Sequence, residues 1–226
     1  MKMLRPLTPA ALDELANRLV ADAAEDALRR TLVGIAGIGG AGKSTVAAAL
    51  VKRCNKRRAG IAHQVPMDGF HLPHAILRER DLLTQKGRPH TFDVAGYRAL
   101  LKRVRGEMTS HRIPVYDRAV HDVVLDGRPA CRMAAGVRIV VTEGNYLLFD
   151  QPDWAEVYPL LDMAIWIELP AYVAKARVIA RHRRGGKSQE HAEQHYERVD
   201  QRNAHEIVEY RLPPDVVLMW QGDEID

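Results

Sequence analysis

Cysteine is nearly absent from this chain. Its 226 residues include two, Cys54 and Cys131, far apart and in no Cys-x-x-Cys pattern. That argues against a disulfide framework or a zinc site and suits a reducing compartment. Aromatic residues are also few, at 6%, which leaves few stacking platforms and argues against binding of single-stranded nucleic acid. No apolar run approaches the roughly 18 residues that mark a membrane-spanning helix, so no membrane partner is expected. The segment Met1-Lys2-Met3-Leu4-Arg5-Pro6 has neither the apolar stretch nor the cleavage site of a signal peptide, and the expected location is cytoplasmic. Internal repeats and low-complexity linkers are missing, so one domain over residues 1–226 is expected. Acids are missing from residues 174–188, which hold Lys175, Arg177, Arg181, Arg183, Arg184 and Lys187. Such a cluster suits a phosphorylated small molecule or nucleic acid.

What is present is the composition of a globular domain, 46% hydrophobic and 27% charged with a net charge of +4. Helices and strands alternate. Thr8-Pro9 reads as a cap with proline at the first helical position, and the helix is expected to run to about residue 30 with Leu12, Leu15 and Leu19 on one face. Strands are expected at 31–36, 61–67, 136–142, 164–169 and 216–220. Helices are expected from 44 to about 54, over 94–104 and 171–184, and from 189 to about 211. Leu125-Asp126-Gly127-Arg128 suggests a hairpin turn in a less regular stretch. The alternation implies an α/β fold with parallel strand order.

Between the first of these strands and its helix lies Gly37-Ile38-Gly39-Gly40-Ala41-Gly42-Lys43-Ser44, the pattern Gly-x-x-x-x-Gly-Lys-Ser in its required setting. Glycines let consecutive amides curl around anionic oxygens, and the new helix aims its unpaired N–H groups at the same place. Lys43 then reaches the β- and γ-phosphates of ATP, the Ser44 hydroxyl can ligate Mg²⁺, and Thr45 adds a hydroxyl near the α-phosphate. A GTPase would carry Asn-Lys-x-Asp, which Asn55-Lys56-Arg57-Arg58 fails at the acid, and a transporter ATPase Leu-Ser-Gly-Gly-Gln, which is absent. Those absences point toward a small-molecule kinase.

Ligands of open α/β sheets bind at the carboxyl ends of the strands, where Asp68 and Glu143 are expected. Phosphoryl transfer to a hydroxyl needs one carboxylate to orient or deprotonate the nucleophile and another to hold Mg²⁺ or its water. Asp68 suits the first role and Glu143 the second; the plainer alternatives are a turn aspartate before Gly69 and a surface acid. The basic stretch reads either as a solvated helix face or as a mobile lid. In the latter case Arg177 and Arg181, four apart on one face, meet the charge developing on the transferred phosphoryl group, with Gly185-Gly186 supplying flexibility. His71 lines a pocket or is merely exposed. It and His74 lack the further ligands of a zinc site.

The residues together resemble one family. Gly-x-x-Gly-Ala-Gly-Lys-Ser-Thr is followed by Met67-Asp68-Gly69-Phe70-His71, then by Lys86-Gly87-Arg88-Pro89 with Thr91-Phe92-Asp93. Pro114-Val115-Tyr116-Asp117-Arg118 and Glu143-Gly144-Asn145-Tyr146-Leu147-Leu148 come next. This order is similar to the phosphoribulokinase/uridine kinase family, especially its bacterial nucleoside kinase-like members and type I pantothenate kinase. The resemblance implies a P-loop NTPase fold, three-layer α/β/α with a mainly parallel central sheet and a helical lid at about 171–188. It implies Asp68 as catalytic base and Glu143 as the Walker B acid. Asp93 would bind ribose hydroxyls, and Tyr116 and His121 would line the acceptor pocket. Arg177 and Arg181 would be lid arginines, with Asp200 and Asn203 near the adenine. Homodimers occur in such families. Uridine kinases continue from the base through Ser-Phe-Tyr, whereas this chain has Gly69-Phe70-His71.

The expected activity is transfer of the γ-phosphate of Mg-ATP to a hydroxyl of a small metabolite: a nucleoside, a pantothenate-like alcohol or a sugar. The alternative from another class is a P-loop ATPase acting as a nucleotide-dependent regulator or assembly factor. The plainer reading of Tyr116 is strand packing, and that of His121 a surface loop histidine.

Overall fold

The computed structural model describes residues 3–25, 28–117, 119–120, 122–124 and 131–222. His121 and the expected turn at 125–128 lie outside them.

Strand β1 (Met3–Pro6) leads into helix α1 (Pro9–Glu25), β2 (Thr31–Ala36), α2 (Lys43–Arg57) and β3 (Ala62–Pro66). Short α3 (His74–Glu79) and longer α4 (Val94–Gly106) follow, then the small strands β4 (His111–Arg112), β5 (Val115–Asp117), β6 (Asp122–Val124) and β7 (Arg132–Met133). The chain ends through β8 (Ile139–Gly144), β9 (Met163–Glu168), α5 (Ala171–Arg184), α6 (Gln189–His195), α7 (Gln201–Glu209) and β10 (Val216–Met219). The main sheet has six strands in the order β1-β10-β9-β2-β8-β3, and every pairing is parallel. The chain crosses from β2 to the edge at β3, then returns to place β8 between them. The carboxyl ends of β2, β8 and β3 therefore share one rim, where such sheets bind ligands.

Strand periodicity divides the core in two. Val33, Ile35, Val141 and Ile165 face α1 and α2, meeting Leu12, Leu15, Leu19, Val46 and Leu50. Leu32, Ala36, Val140 and Trp166 face the other way, meeting Tyr97, Leu100, Leu101, Val104 and Ile207. Two helical layers on one sheet give the expected α/β/α sandwich.

Three differences from the sequence-based expectation are informative. First, α1 begins where expected, with the Thr8 hydroxyl accepting the Ala11 amide, but it ends at Glu25. Arg30 is not helical. It is fully buried, and its guanidinium donates to the carbonyls of Val137, Val104, Glu107, Thr109 and Ala135. Second, β1 has no counterpart in the periodicity. It is a four-residue edge strand ending in proline, which an edge tolerates. Third, the expected helix from 189 to 211 is interrupted by a π turn at Tyr196–Asp200. Such wide turns recur at functional sites.

Candidate active site

The loop after β2 delivers its glycines to the sheet rim. Gly40 has φ +82, and a Cβ there would come within 2.7 Å of the Ala174 carbonyl oxygen. Only glycine fits, because α5 is packed directly on the loop. Ala41 is buried, whereas Ser44 and Thr45 on the first turn of α2 are exposed and open to a ligand. Asp200 approaches the loop beside α5: a Cβ on Gly39 would lie 4.0 Å from its Oδ1 and 3.5 Å from Val178.

Lys43 is buried and donates to the Ile38 carbonyl at 2.9 Å. Burial pulls its pKa down to about 8, with the Glu143 and Asp68 carboxylates pulling the other way. Glu143 is the penultimate residue of β8, 5% exposed, and its Oε1 accepts from the Ser44 hydroxyl at 2.9 Å. Asp68 is partly buried in a 3-10 turn, Met67–Phe70, just past β3. The turn is wedged so tightly that a Cβ on Gly69 would lie 2.0 Å from the Pro114 carbonyl oxygen. Glycine at 69 is thus a packing requirement that fixes the position of its neighbour Asp68.

Beyond Asp68 lies a cluster of polar and aromatic side chains. His71 Nδ1 donates to the Asp68 carbonyl at 2.8 Å, and its ring packs on Phe92 at 4.1 Å and Tyr116 at 4.9 Å between centroids. Burial holds the His71 pKa below the usual imidazole value, so the ring is neutral near pH 7 with Nε2 as an acceptor. The Lys86 ammonium sits 4.9 Å over the Tyr116 ring, a cation–π contact. Asp122 raises the pKa of both His71 and Lys86, placing a carboxylate nearby.

The remaining candidates are spread around this centre. Arg177 donates to the Gly40 carbonyl at 3.3 Å and lies 4.9 Å over the Trp220 ring. Arg181 is 3.7 Å from Asp200 Oδ1, and its charge reaches Lys43. Asp93 is exposed and caps α4, its Oδ1 accepting the Gly96 amide at 2.9 Å. Asn203 is buried, and its Nδ2 donates to the Gly87 carbonyl at 3.1 Å. That bond ties it to the loop carrying Lys86, while its Oδ1 is buried without a hydrogen-bond partner.

Sequence reasoning missed Lys86 and Asp122 as pocket residues, although Lys86 stood in the quoted Lys86-Gly87-Arg88-Pro89 motif. It also missed the His182–His195–Asp200 cluster. There His182 Nε2 meets Asp200 Oδ2 at 2.8 Å and the two imidazoles are 4.5 Å apart. No periodicity joins residues on three separate helical segments.

A buried lysine after a glycine loop, with a serine hydroxyl bonded to a strand-end glutamate at the rim of a parallel sheet, defines the class: a P-loop phosphotransferase. Known proteins agree. A proposed uridine kinase of Schizosaccharomyces pombe is 33% identical over 92% of this chain and 90% of its own length. The pantothenate kinase of Sodalis glossinidius is 28% identical over 66% of this chain and 49% of its own. The crystal structure of a proposed fructose transport system kinase from Silicibacter sp. TM1040 superposes with a TM-score of 0.81 at 32% identity, over 91% of this chain and 98% of the other. The phosphoribulokinase/uridine kinase family profile matches residues 32–212, and the chain belongs to that family. It is an ATP-dependent kinase that transfers a phosphoryl group to a hydroxyl of a small molecule. Among the described residues no helix is long and apolar enough to cross a membrane.

Proposed function

We propose that the acceptor hydroxyl binds beside Asp68 and attacks the γ-phosphorus of ATP held in the Gly37–Thr45 loop. Asp68 takes the hydroxyl proton, the new O–P bond forms, and the bond to the β,γ-bridging oxygen breaks to release ADP. The observation that carries this is the Ser44–Glu143 bond of 2.9 Å at the sheet rim, with Asp68 in the turn just past the neighbouring strand β3.

The other assignments follow from position. The amides of Gly39, Gly40, Ala41 and Gly42 cradle phosphate oxygens, and Gly37 opens the turn. Lys43 reaches the β- and γ-phosphates, whose negative charge favours its protonated form. Ser44 and Glu143 fit Mg²⁺, because a hydroxyl and a carboxylate 2.9 Å apart are the hard oxygen donors it selects. When bound, Mg²⁺ neutralises charge on the β- and γ-phosphates. Arg181 stands ready to meet charge on the transferred group, while Arg177 holds the lid root to the loop. His71 and Tyr116 wall the acceptor, with His71 Nε2 accepting from a second hydroxyl of the substrate.

The names of the relatives suggest a nucleoside, pantothenate-like alcohol or sugar as acceptor. Histidine and lysine in the cluster beyond Asp68 favour a compact polyhydroxylated metabolite that hydrogen-bonds at its edge. A screen of hydroxylated metabolites, following ADP release, tests this. At least one should raise turnover above the water-only rate; a uniformly flat screen would count against the proposal.

A further inference from the structure

A second cavity lies outside the phosphate loop. Its volume is about 310 Å³, and its lining is Thr84, Gln85, Arg88, Arg198, Val199 and Arg202. Every charged side chain in that lining is an arginine, and Thr84 and Gln85 add neutral hydrogen-bonding groups. Arg88 comes from the loop before α4, and its Nη2 donates to Glu206 at 2.7 Å. Arg198 and Arg202 are exposed, and neither has an ion-pair partner among the described residues. Arg198 lies in the π turn and Arg202 in the first turn of α7, and both line the same cavity. Two guanidinium groups without ion-pair partners among the described residues, lining one cavity with a third, are suited to holding an anion bidentately.

The backbone supports a built site. Arg198 belongs to the π turn Tyr196–Asp200, and wide turns of this kind mark functional positions. The same turn sends Asp200 toward Gly39 and Arg181. On the opposite wall Gly87 separates Lys86, which reaches Tyr116, from Arg88, which lines the cavity. The Gly87 carbonyl accepts from both the Tyr146 hydroxyl, at 2.6 Å, and Asn203. The Tyr146 hydroxyl feels the charges of both Arg88 and Asp68.

We propose that this arginine-lined cavity is a second anion site, which takes a phosphate or carboxylate group of a small metabolite. The volume suits such a group and not a nucleic-acid strand, and no aromatic side chain lines it for base stacking. The anion is either the acidic end of the acceptor itself or a separate effector.

The test fills the loop of the full chain with a non-hydrolysable Mg-ATP analogue and titrates inorganic phosphate calorimetrically at constant ionic strength. The wild type should bind phosphate at a site outside the loop. Arg198→Ala/Arg202→Ala should weaken that binding about tenfold or more, with Arg198→Lys/Arg202→Lys losing less because charge survives without the planar fork. Unchanged thermal unfolding shows that the alanine variant is folded. Absence of phosphate binding outside the loop, or equal affinity in wild type and alanine variant, would overturn the proposal. Turnover then separates the sources. If the acceptor carries the anion, the alanine variant raises KM for a phosphorylated or carboxylated alcohol and leaves its neutral counterpart unchanged. If an effector does, phosphate shifts the wild-type rate on a neutral alcohol and the variant ignores it. The calorimetry reads no turnover, so its failure is distinct from a failure of the proposed catalytic reading.

Discussion

The Ser44 hydroxyl donates to Glu143 Oε1 at 2.9 Å, joining the first turn of α2 to the end of β8 across 99 positions of sequence. Register explains the meeting. Glu143 pairs with Ile35 on one side and Pro66 on the other, so it stands level with the penultimate residue of β2 and the last residue of β3. Asp68 follows Pro66 by two residues, which brings it to the same rim, and both carboxylates act to raise the Lys43 pKa.

The first prediction concerns Asp68. Replacing it with asparagine keeps the shape and removes the base. Turnover should fall about 10²- to 10⁴-fold, with ATP affinity nearly unchanged. Single-turnover kinetics and equilibrium nucleotide binding measure the two separately, and an equal loss in both would contradict the assigned role.

Lys43 links nucleotide binding to pH. Burial lowers its pKa to about 8, so in the free protein it is mostly neutral above that value. A triphosphate favours the charged form, and binding near pH 9 should therefore take up a proton. Calorimetry in buffers of differing ionisation enthalpy reads this directly; buffer-independent heats would refute it. The same shift makes the Lys43 contribution to stability rise with pH between about 8 and the ordinary 10.5, because the unfolded chain holds the proton longer. Below pH 8 both states hold it and the fold carries the full desolvation penalty.

The two lid arginines should separate kinetically. Arg177 is half-buried against Gly40 and Trp220, so Arg177→Ala should chiefly raise KM for ATP. Arg181 is exposed and held at 3.7 Å from Asp200. Arg181→Ala should chiefly lower kcat, on the order of a hundredfold. Steady-state kinetics on both variants checks the split, and indistinguishable profiles would remove it.

Arg30 is a stability prediction away from the chemistry. Its guanidinium feeds five carbonyls in the interior. Arg30→Met leaves them without donors and should cost about 3–5 kcal/mol in urea unfolding. A loss below about 1 kcal/mol would mean that water or a shifted backbone replaces the donors.

Much of the sandwich was legible because its strands are buried apolar runs and its long helices carry one apolar face. Residues 31–36 and 171–184 were bounded as the structure bounds them. The phosphate loop was legible because its chemistry is local: glycines, lysine and serine within eight residues. The acceptor side was harder, since His71, Lys86, Tyr116 and Asp122 come from four segments and meet only through tertiary packing. Arg30 was read as the tail of a helix because a buried guanidinium saturated by carbonyls leaves no periodic trace. The edge strand β1 was invisible because four residues against one partner carry too little pattern.

The contact of Gly40 with Ala174 has a mechanical consequence. The root of α5 is clamped to the phosphate loop, so any lid motion acts as a lever about a fulcrum at Ala174 and Val178, with its free arm at Gly185-Gly186. If the proposed lid moves, that clamp would transmit to its arm the shape of whatever fills the proposed cradle.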